Sequence, residues 1–153
     1  MRVSKKSEYA LRALIHMGLH PEQEVFNVRE ISRHENIPLK FLEQILLALK
    51  KAGYLSSRRG MKGGYLLKQA PGAIRVGQII RLMDGPLAPI SCVSQTAYEK
   101  CSCPDEKTCG LRLLMQDVRN SLSALLDNFT LADVAHSSGL RRIEHLDGLN
   151  FEI

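Results

Sequence analysis

Apolar residues along the chain recur first at helical and then at strand-like intervals, and the changes of period mark out the elements. From about Ser4 to Leu19, Leu11, Leu14, Ile15 and Gly18 share one face with Ala10, Ala13 and Met17 beside it. This predicts a first helix, ended by Pro21 and the polar run Glu22-Gln23-Glu24. Asn27 stands three residues before Glu30, a pair able to satisfy free amides at a helix start, and predicts a short second helix over about Val28 to Glu35. Asn36-Ile37-Pro38 reads as a turn, with Pro38 suited to a first helical position, where its missing N–H has no partner to lose. A third helix, about Leu39 to Ala52, buries Leu42, Ile45, Leu46 and Leu49 at i, i+3, i+4, i+7 spacing and stops at Gly53. That leaves Lys40, Glu43, Gln44, Leu47 and Lys51 facing outward.

After Gly53 the pattern becomes strand-like: Tyr54 to Ser57, then the loop Arg58-Arg59-Gly60-Met61-Lys62-Gly63-Gly64, then Tyr65 to Leu67. Two short strands around a basic, glycine-rich loop make a hairpin. The expected fold class is therefore mainly α with a small β-hairpin wing, a winged helix-turn-helix followed by a long C-terminal helix that is a candidate for dimerisation. A fourth helix is expected at about Val76 to Met83, before the breakers Asp84-Gly85-Pro86 and Pro89. From Leu111 the helical period returns, with Leu111, Leu114, Met115, Val118, Leu122, Leu125, Leu126 and Phe129 in one stripe. Such a stripe suits a dimer seam or an intramolecular core equally. Thr130 to Asp133 signals the start of a short end helix, and the sequence from Ser137 reads as a polar, loose tail. The expected organisation is a DNA-binding unit at 1–83, a cysteine segment at 84–110, the dimerisation and end helices at 111–135, and the tail at 136–153.

Composition changes this picture little. The 153 residues, 44% of them hydrophobic, fit one ordinary soluble domain or a domain with an appendage and argue against collagen-like, mucin-like and disordered classes. No apolar stretch is long enough for a membrane span and no secretion-type start is present, so the expectation is a cytoplasmic protein without membrane partners. Charge adds more. Residues 1–80 hold 14 Lys+Arg against 6 Asp+Glu, whereas residues 81–153 hold 7 against 10, so the amino-terminal half is the candidate polyanion-binding half. A helix in the major groove reads base edges with the chemistry that Lys40, Glu43 and Gln44 carry. Arg58, Arg59 and Lys62 extend the basic surface onto the wing, where glycines permit close approach to DNA and an Arg suits a narrow minor groove.

Ser7-Glu8-Tyr9-Ala10-Leu11-Arg12-Ala13-Leu14, Phe41 to Leu46, and Lys51 to Gly60 followed by Gly63-Gly64-Tyr65-Leu66-Leu67 together resemble the Rrf2 family of bacterial transcription regulators. The resemblance runs from about residue 1 to 135 and includes Asp127-Asn128-Phe129-Thr130-Leu131-Ala132-Asp133. It implies a homodimeric winged helix-turn-helix protein with crossed long C-terminal helices on partly palindromic promoter DNA. It also implies DNA-contacting roles for Glu43, Gln44 and Arg59.

All four cysteines, Cys92, Cys101, Cys103 and Cys109, fall within 18 positions, which points to metal or redox chemistry. Thiolates suit iron–sulfur clusters and zinc, and the spacing lacks the paired C-x2-C arms of zinc ribbons. The family's cluster-binding branch uses three cysteines in this segment with a C-x5-C second interval, which the resemblance carries onto Cys92, Cys103 and Cys109. Cys101 is the alternative or additional ligand. Where one branch places a histidine ligand three residues after the last cysteine, this chain has Arg112; where another takes an acidic ligand from the partner's first helix, it has Glu8. Glu8 equally suits a surface pair with Arg12, and His16, one further turn along the same face, is a lesser candidate. His20, His34, His136 and His145 stand in no ligand-like spacing. The expected cofactor is an iron–sulfur cluster, 2Fe–2S ahead of 4Fe–4S. The alternatives are a zinc or thiol-switch segment, or control by docking to a partner enzyme. No Ser/His/Asp, phosphate-loop or HExxH arrangement is present, so no catalytic residue is expected.

Overall fold

The computed structural model describes residues 3–149. Helix α1 (Lys5–Leu19) begins where the Ser4 hydroxyl accepts from the Ser7 amide at 3.2 Å. Helix α2 (Val28–His34) is capped by Asn27, whose side chain accepts from the Arg29 amide at 2.8 Å. The turn to α3 (Leu39–Lys51) places Asn36 at φ 50°, left-handed backbone that Asn tolerates better than most residues. Ser32 donates across this turn to the Ile37 carbonyl at 2.6 Å. Pro38 is the residue just outside α3, one position earlier than expected.

The predicted faces do pack together. Leu14 and Met17 of α1, Ile31 of α2 and Leu42, Ile45, Leu46 and Leu49 of α3 are fully buried in one cluster. Each such side chain gains roughly 1.5–3 kcal/mol from leaving water, so helical spacing becomes a closed three-helix body. Tyr9 meets Phe41 edge-on at 5.7 Å and seals α1 against the start of α3.

The wing pairs β1 (Leu55–Arg58) antiparallel with β2 (Gly64–Leu67), Leu55 opposite Leu67 and Arg58 opposite Gly64. Phe26 adds a one-residue third strand, donating to the Tyr65 carbonyl at 2.8 Å and accepting from its amide at 2.9 Å. Gly64 lies so close to the Phe26 carbonyl that no Cβ fits there, which is the reason for glycine at the base of the wing.

Helix α4 (Val76–Asp84) packs on α1, and Asp84 at its end accepts from the Ser4 amide at 2.9 Å and from the Ser4 hydroxyl. Helix α5 (Gly110–Asn128) is joined to α4 by a two-pronged pair, Arg81 donating to both oxygens of Asp127 at 2.6 and 2.8 Å. Gly77 leaves no room for a Cβ beside that carboxylate. Among the described residues, α5 buries none of its 19, and Leu111, Leu114 and Leu125 are more than half exposed.

Helix α6 corrects the sequence reading. The Thr130–Asp133 capping pair forms as expected, the Asp133 amide donating to Thr130 Oγ1 at 3.1 Å and the Thr130 amide to Asp133 Oδ2 at 2.8 Å. However, the helix runs over Leu131–Leu149 instead of ending near residue 135 in a loose tail. Packing is the physical reason: Leu131 and Ala135 are buried, Ala135 rests against Gly18, and Gly139 faces Leu19. A small-residue seam against α1 thus carries α6 into a stretch whose polarity suggested a tail. The remainder of that expected tail, 150–153, lies outside the described residues.

Candidate functional site

The outer face of α3 carries Lys40, Glu43 and Gln44, all exposed, because the opposite face supplies the core. The wing packs beside α3 through β1. Arg59 and Lys62 are exposed and carry no ion pair among the described residues, whereas Arg58 is tied to Glu24 at 2.8 Å. The structure thus separates Arg58 from its neighbours: its guanidinium braces the wing against the loop before α2. Tyr65 stands where wing and α3 meet; burial raises its phenol above the usual range, and the nearby Glu43 carboxylate adds to the shift. Two cations that the sequence reading did not single out, Arg29 and Arg33, lie one turn apart on α2 and line a cleft of about 540 Å³ with Ser32 and Leu39. Their i, i+4 spacing was the available signal.

The cysteine segment hangs between α4 and α5. Cys92 lies on a single 3₁₀ turn, Ser91–Val93, and is buried. Two arginines of α5 hold that turn: Arg112 donates to the Cys92 carbonyl at 3.4 Å, and Arg119 donates to the Val93 carbonyl. Arg112, which stands where the resemblance would place a histidine ligand, therefore has a backbone-holding role here. Cys109 is the cap residue of α5, where free backbone amides converge. The Arg112 amide, the Cys103 thiol and the Leu111 amide lower its thiol below the usual range, which favours the thiolate there. Cys103 lies 3.8 Å from Cys109, sulfur to sulfur, and its thiol is pushed up to about 12 by hydrogen bonding with Cys101 and Cys109. Cys92 is raised as well, by burial and then by the nearby Cys101.

Cys101 thus neighbours both Cys92 and Cys103, and its amide donates to Glu106 at 3.2 Å. All four thiols are free. Two thiolates on one tetrahedral metal, each about 2.3 Å from it, stand just under 4 Å apart, so the Cys103–Cys109 pair has the separation of two sulfurs on one centre. Soft thiols strung along one segment fit iron–sulfur ligation. Among the described residues no three His, Cys, Asp or Glu side chains gather around a single point, so the set as it lies is not a closed one-ion cage.

Glu8 lies apart from this segment's contacts, paired with Lys5 at 2.7 Å and Arg12 at 3.4 Å, the surface arrangement that the sequence left open. Lys5 first, then Arg12, hold its carboxyl below the usual range. His16 turns toward Glu35 at 3.0 Å. His20 and His34, for which the sequence suggested no ligand-like spacing, both lie beside His16.

No described helix is long and apolar enough to cross a membrane. The family model described as iron-dependent transcriptional regulator matches residues 3–137. The chain is 38% identical over 136 residues, 86% of its length, to an rrf2-like HTH-type transcriptional regulator of Rhodobacter capsulatus, covering 91% of that protein. It is 33% identical over 137 residues to the HTH-type transcriptional regulator IscR of Erwinia tasmaniensis, covering 90% of this chain and 80% of that one. Among solved structures, CymR, the global cysteine regulator of B. subtilis, superposes with a TM-score of 0.75 at 29% identity, over 90% of this chain and 98% of that chain. IscR of T. potens superposes with a TM-score of 0.71 at 27% identity, over 90% and 88% respectively. The family match spans α1 to α5 with the wing and the cysteine segment, and by these likenesses the chain belongs to the Rrf2 family of DNA-binding transcription regulators, not to an enzyme family.

Proposed function

We propose that this regulator acts as a cytoplasmic homodimer on partly palindromic promoter DNA, with an iron–sulfur cluster held by the cysteine segment setting its operator affinity. The observation that carries the reading is the segment itself: four free thiols between α4 and the unpartnered apolar face of α5, with Cys103 and Cys109 at co-ligand distance. The family description, iron-dependent transcriptional regulator, agrees with it. Cys92, Cys103 and Cys109 are the holding residues, Cys101 the alternative or fourth, and Glu8 a candidate from the partner's α1; a 2Fe–2S form is favoured over 4Fe–4S. When bound, the cluster supplies a centre sensitive to oxidant, nitric oxide and iron supply.

The chain's own residues do the rest. Arg112 and Arg119 fix the Cys92 turn to α5, and Cys109 begins that helix, so both ends of the segment are anchored on one element. The Arg81–Asp127 pair joins α5 to α4, and the Ser4–Asp84 contacts join α4 to α1. Helix α1 packs against α3, so the segment and the base-reading helix belong to one connected frame. In a dimer, small rotations of that frame change the match of two α3 helices to half-sites about 34–36 Å apart.

Anaerobic purification with iron, acid-labile sulfide and zinc assays tests the reading. Iron and sulfide in matching amounts, lost in Cys109→Ala while the protein stays folded, support it. Zinc alone, or reversible thiol loss without metal, replaces it with a structural zinc or a thiol switch at Cys103 and Cys109, whose sulfur contact suits that reading as well. Retention of the cluster in Cys103→Ala and its loss in Cys101→Ala would exchange those two ligands.

A further inference from the structure

The tip of the wing is a tight turn that displays one outlying side chain. The Gly63 amide donates to the Gly60 carbonyl at 3.0 Å, so Met61 and Lys62 are the two central residues of a β-turn. Glycine is required on both sides of them: Gly60 has φ 111°, and a Cβ on Gly63 would collide with the Arg58 carbonyl. The turn closes directly on the Arg58–Gly64 pair of the hairpin, which holds its shape. A lone exposed apolar residue is ordinary on a surface. Met61 differs in degree and in setting. Its exposure is 103%, that of a side chain in a free peptide, while the other exposed large apolar side chains among the described residues reach 57% at most. Arg59 and Lys62 flank it, both exposed and without an ion pair among the described residues.

Two contacts join the wing to exposed residues of α3. Lys50 donates to Ser57 Oγ at 2.6 Å, and the Glu43 carboxylate is close enough to Tyr65 to raise its phenol. From Ser57 the four residues to Met61 reach at most about 13 Å at roughly 3.3 Å each, about the ~12 Å width of a major groove. With α3 in a major groove, the tip can therefore reach the minor groove beyond its border. We propose that Met61 seats in that minor groove between Arg59 and Lys62, its thioether packed on the deoxyribose walls over A·T pairs. The inference rests on the DNA-binding reading of the wing and is independent of the cysteine segment. Minor grooves accept apolar side chains, methionine among them, and an unbranched thioether adapts to narrow walls. G·C pairs add the guanine amino donor to acceptors that A·T pairs also carry. Under Met61 that donor loses water and gains no partner, because Arg59 and Lys62 are themselves donors without an acceptor. The contact thus selects against G·C where the wing lands.

The test uses the full-length chain, purified anaerobically, and a duplex selected by the wild-type protein from a random pool. Each A·T pair of that duplex is replaced in turn by G·C and by inosine·C, which matches G·C in the major groove but lacks the minor-groove amino group. At one pair in each half-site, G·C is expected to weaken wild-type binding by roughly 5- to 100-fold, as one mismatched pair does, and inosine·C to restore it. Met61→Ala loses this discrimination. On the selected duplex it binds several-fold more weakly with an unchanged slope of log affinity against log salt, since no charge is removed. Its thermal unfolding matches wild type, as for an exposed position. Absence of any such pair, inosine·C behaving as G·C, or discrimination retained in Met61→Ala overturns the contact. Arg59→Ala, measured in parallel, separates the two readings. If it still lowers the salt slope, Met61 alone leaves the interface; if it does not, the DNA-binding reading of the wing falls as well.

Discussion

The three-helix body and α5 are built from similar apolar patterns and reach opposite ends. In α3, Leu42, Ile45, Leu46 and Leu49 lie at 0% exposure, whereas Leu111, Leu114 and Leu125 of α5 are exposed by 55–56%. An apolar stripe is a demand for a partner surface, and the chain meets that demand internally for α3 but not for α5. The core of the body is therefore closed from within the chain, α6 included, whereas the α5 stripe stays open.

The contrast can be broken most forcefully by equal truncations. Leu46→Ala should cost about 2–5 kcal/mol, read as a shift in urea midpoint, because the closed core cannot refill the space. Leu114→Ala should change the unfolding free energy of the isolated chain by no more than about 0.5 kcal/mol, as at a surface position; a cost near that of Leu46 would place α5 in an internal core after all. Leu114→Asp with Leu125→Asp sharpens the point from the other side. Sedimentation should show a monomer, with a melting curve that no longer depends on protein concentration.

Smaller effects test how each region meets its partner. Arg59→Ala should weaken binding to a selected operator duplex several-fold and reduce the slope of log affinity against log salt by about 1, because one phosphate-directed cation is gone. An unchanged slope would remove the wing from the DNA surface. Asp127→Asn should be the mildest change, under about 1 kcal/mol, since the Arg81 pair is half-exposed and screened. Arg81 holds the Asp127 carboxyl below its ordinary 3.8. Its contribution is therefore present above that value and lost as acid protonates the folded carboxylate. Wild type and the Asp127→Asn variant should converge in stability below that window and separate above it; parallel curves would deny the pair any role in joining α4 to α5.

What was legible in the sequence was what neighbours in sequence decide. The α3 faces follow from spacing alone, and the caps at Asn27 and Thr130 follow from side chains within three residues of the amides they serve. The exposed basic face was legible for the same reason: once the core face is known, its opposite is fixed. The misses are contacts made at a distance. Phe26 becomes a strand only because Tyr65 arrives beside it, and Arg58 leaves the free wing cations only because Glu24 reaches it. The length of α6 rests on Gly18 and Ala135 accepting one another. His16 and His20 show their i, i+4 spacing in the sequence, but His34 reaches His16 through the turn of the chain between α1 and α2. The α5 stripe could not be assigned from spacing, because spacing reports that a face is apolar and not whether the same chain covers it.

Leu131 and Ala135 close the core of the DNA-reading body from the far end of the chain. This has an evolutionary consequence. The unit that reads DNA cannot be inherited as the first 83 residues alone, since a gene fragment ending there would leave α1 without its lid. The stretch between Asp84 and Gly110 lies outside that core and is fastened to α5 through the Ser91–Val93 turn. The architecture thus holds the three helices and their lid together as one heritable piece, with the cysteine segment outside its core.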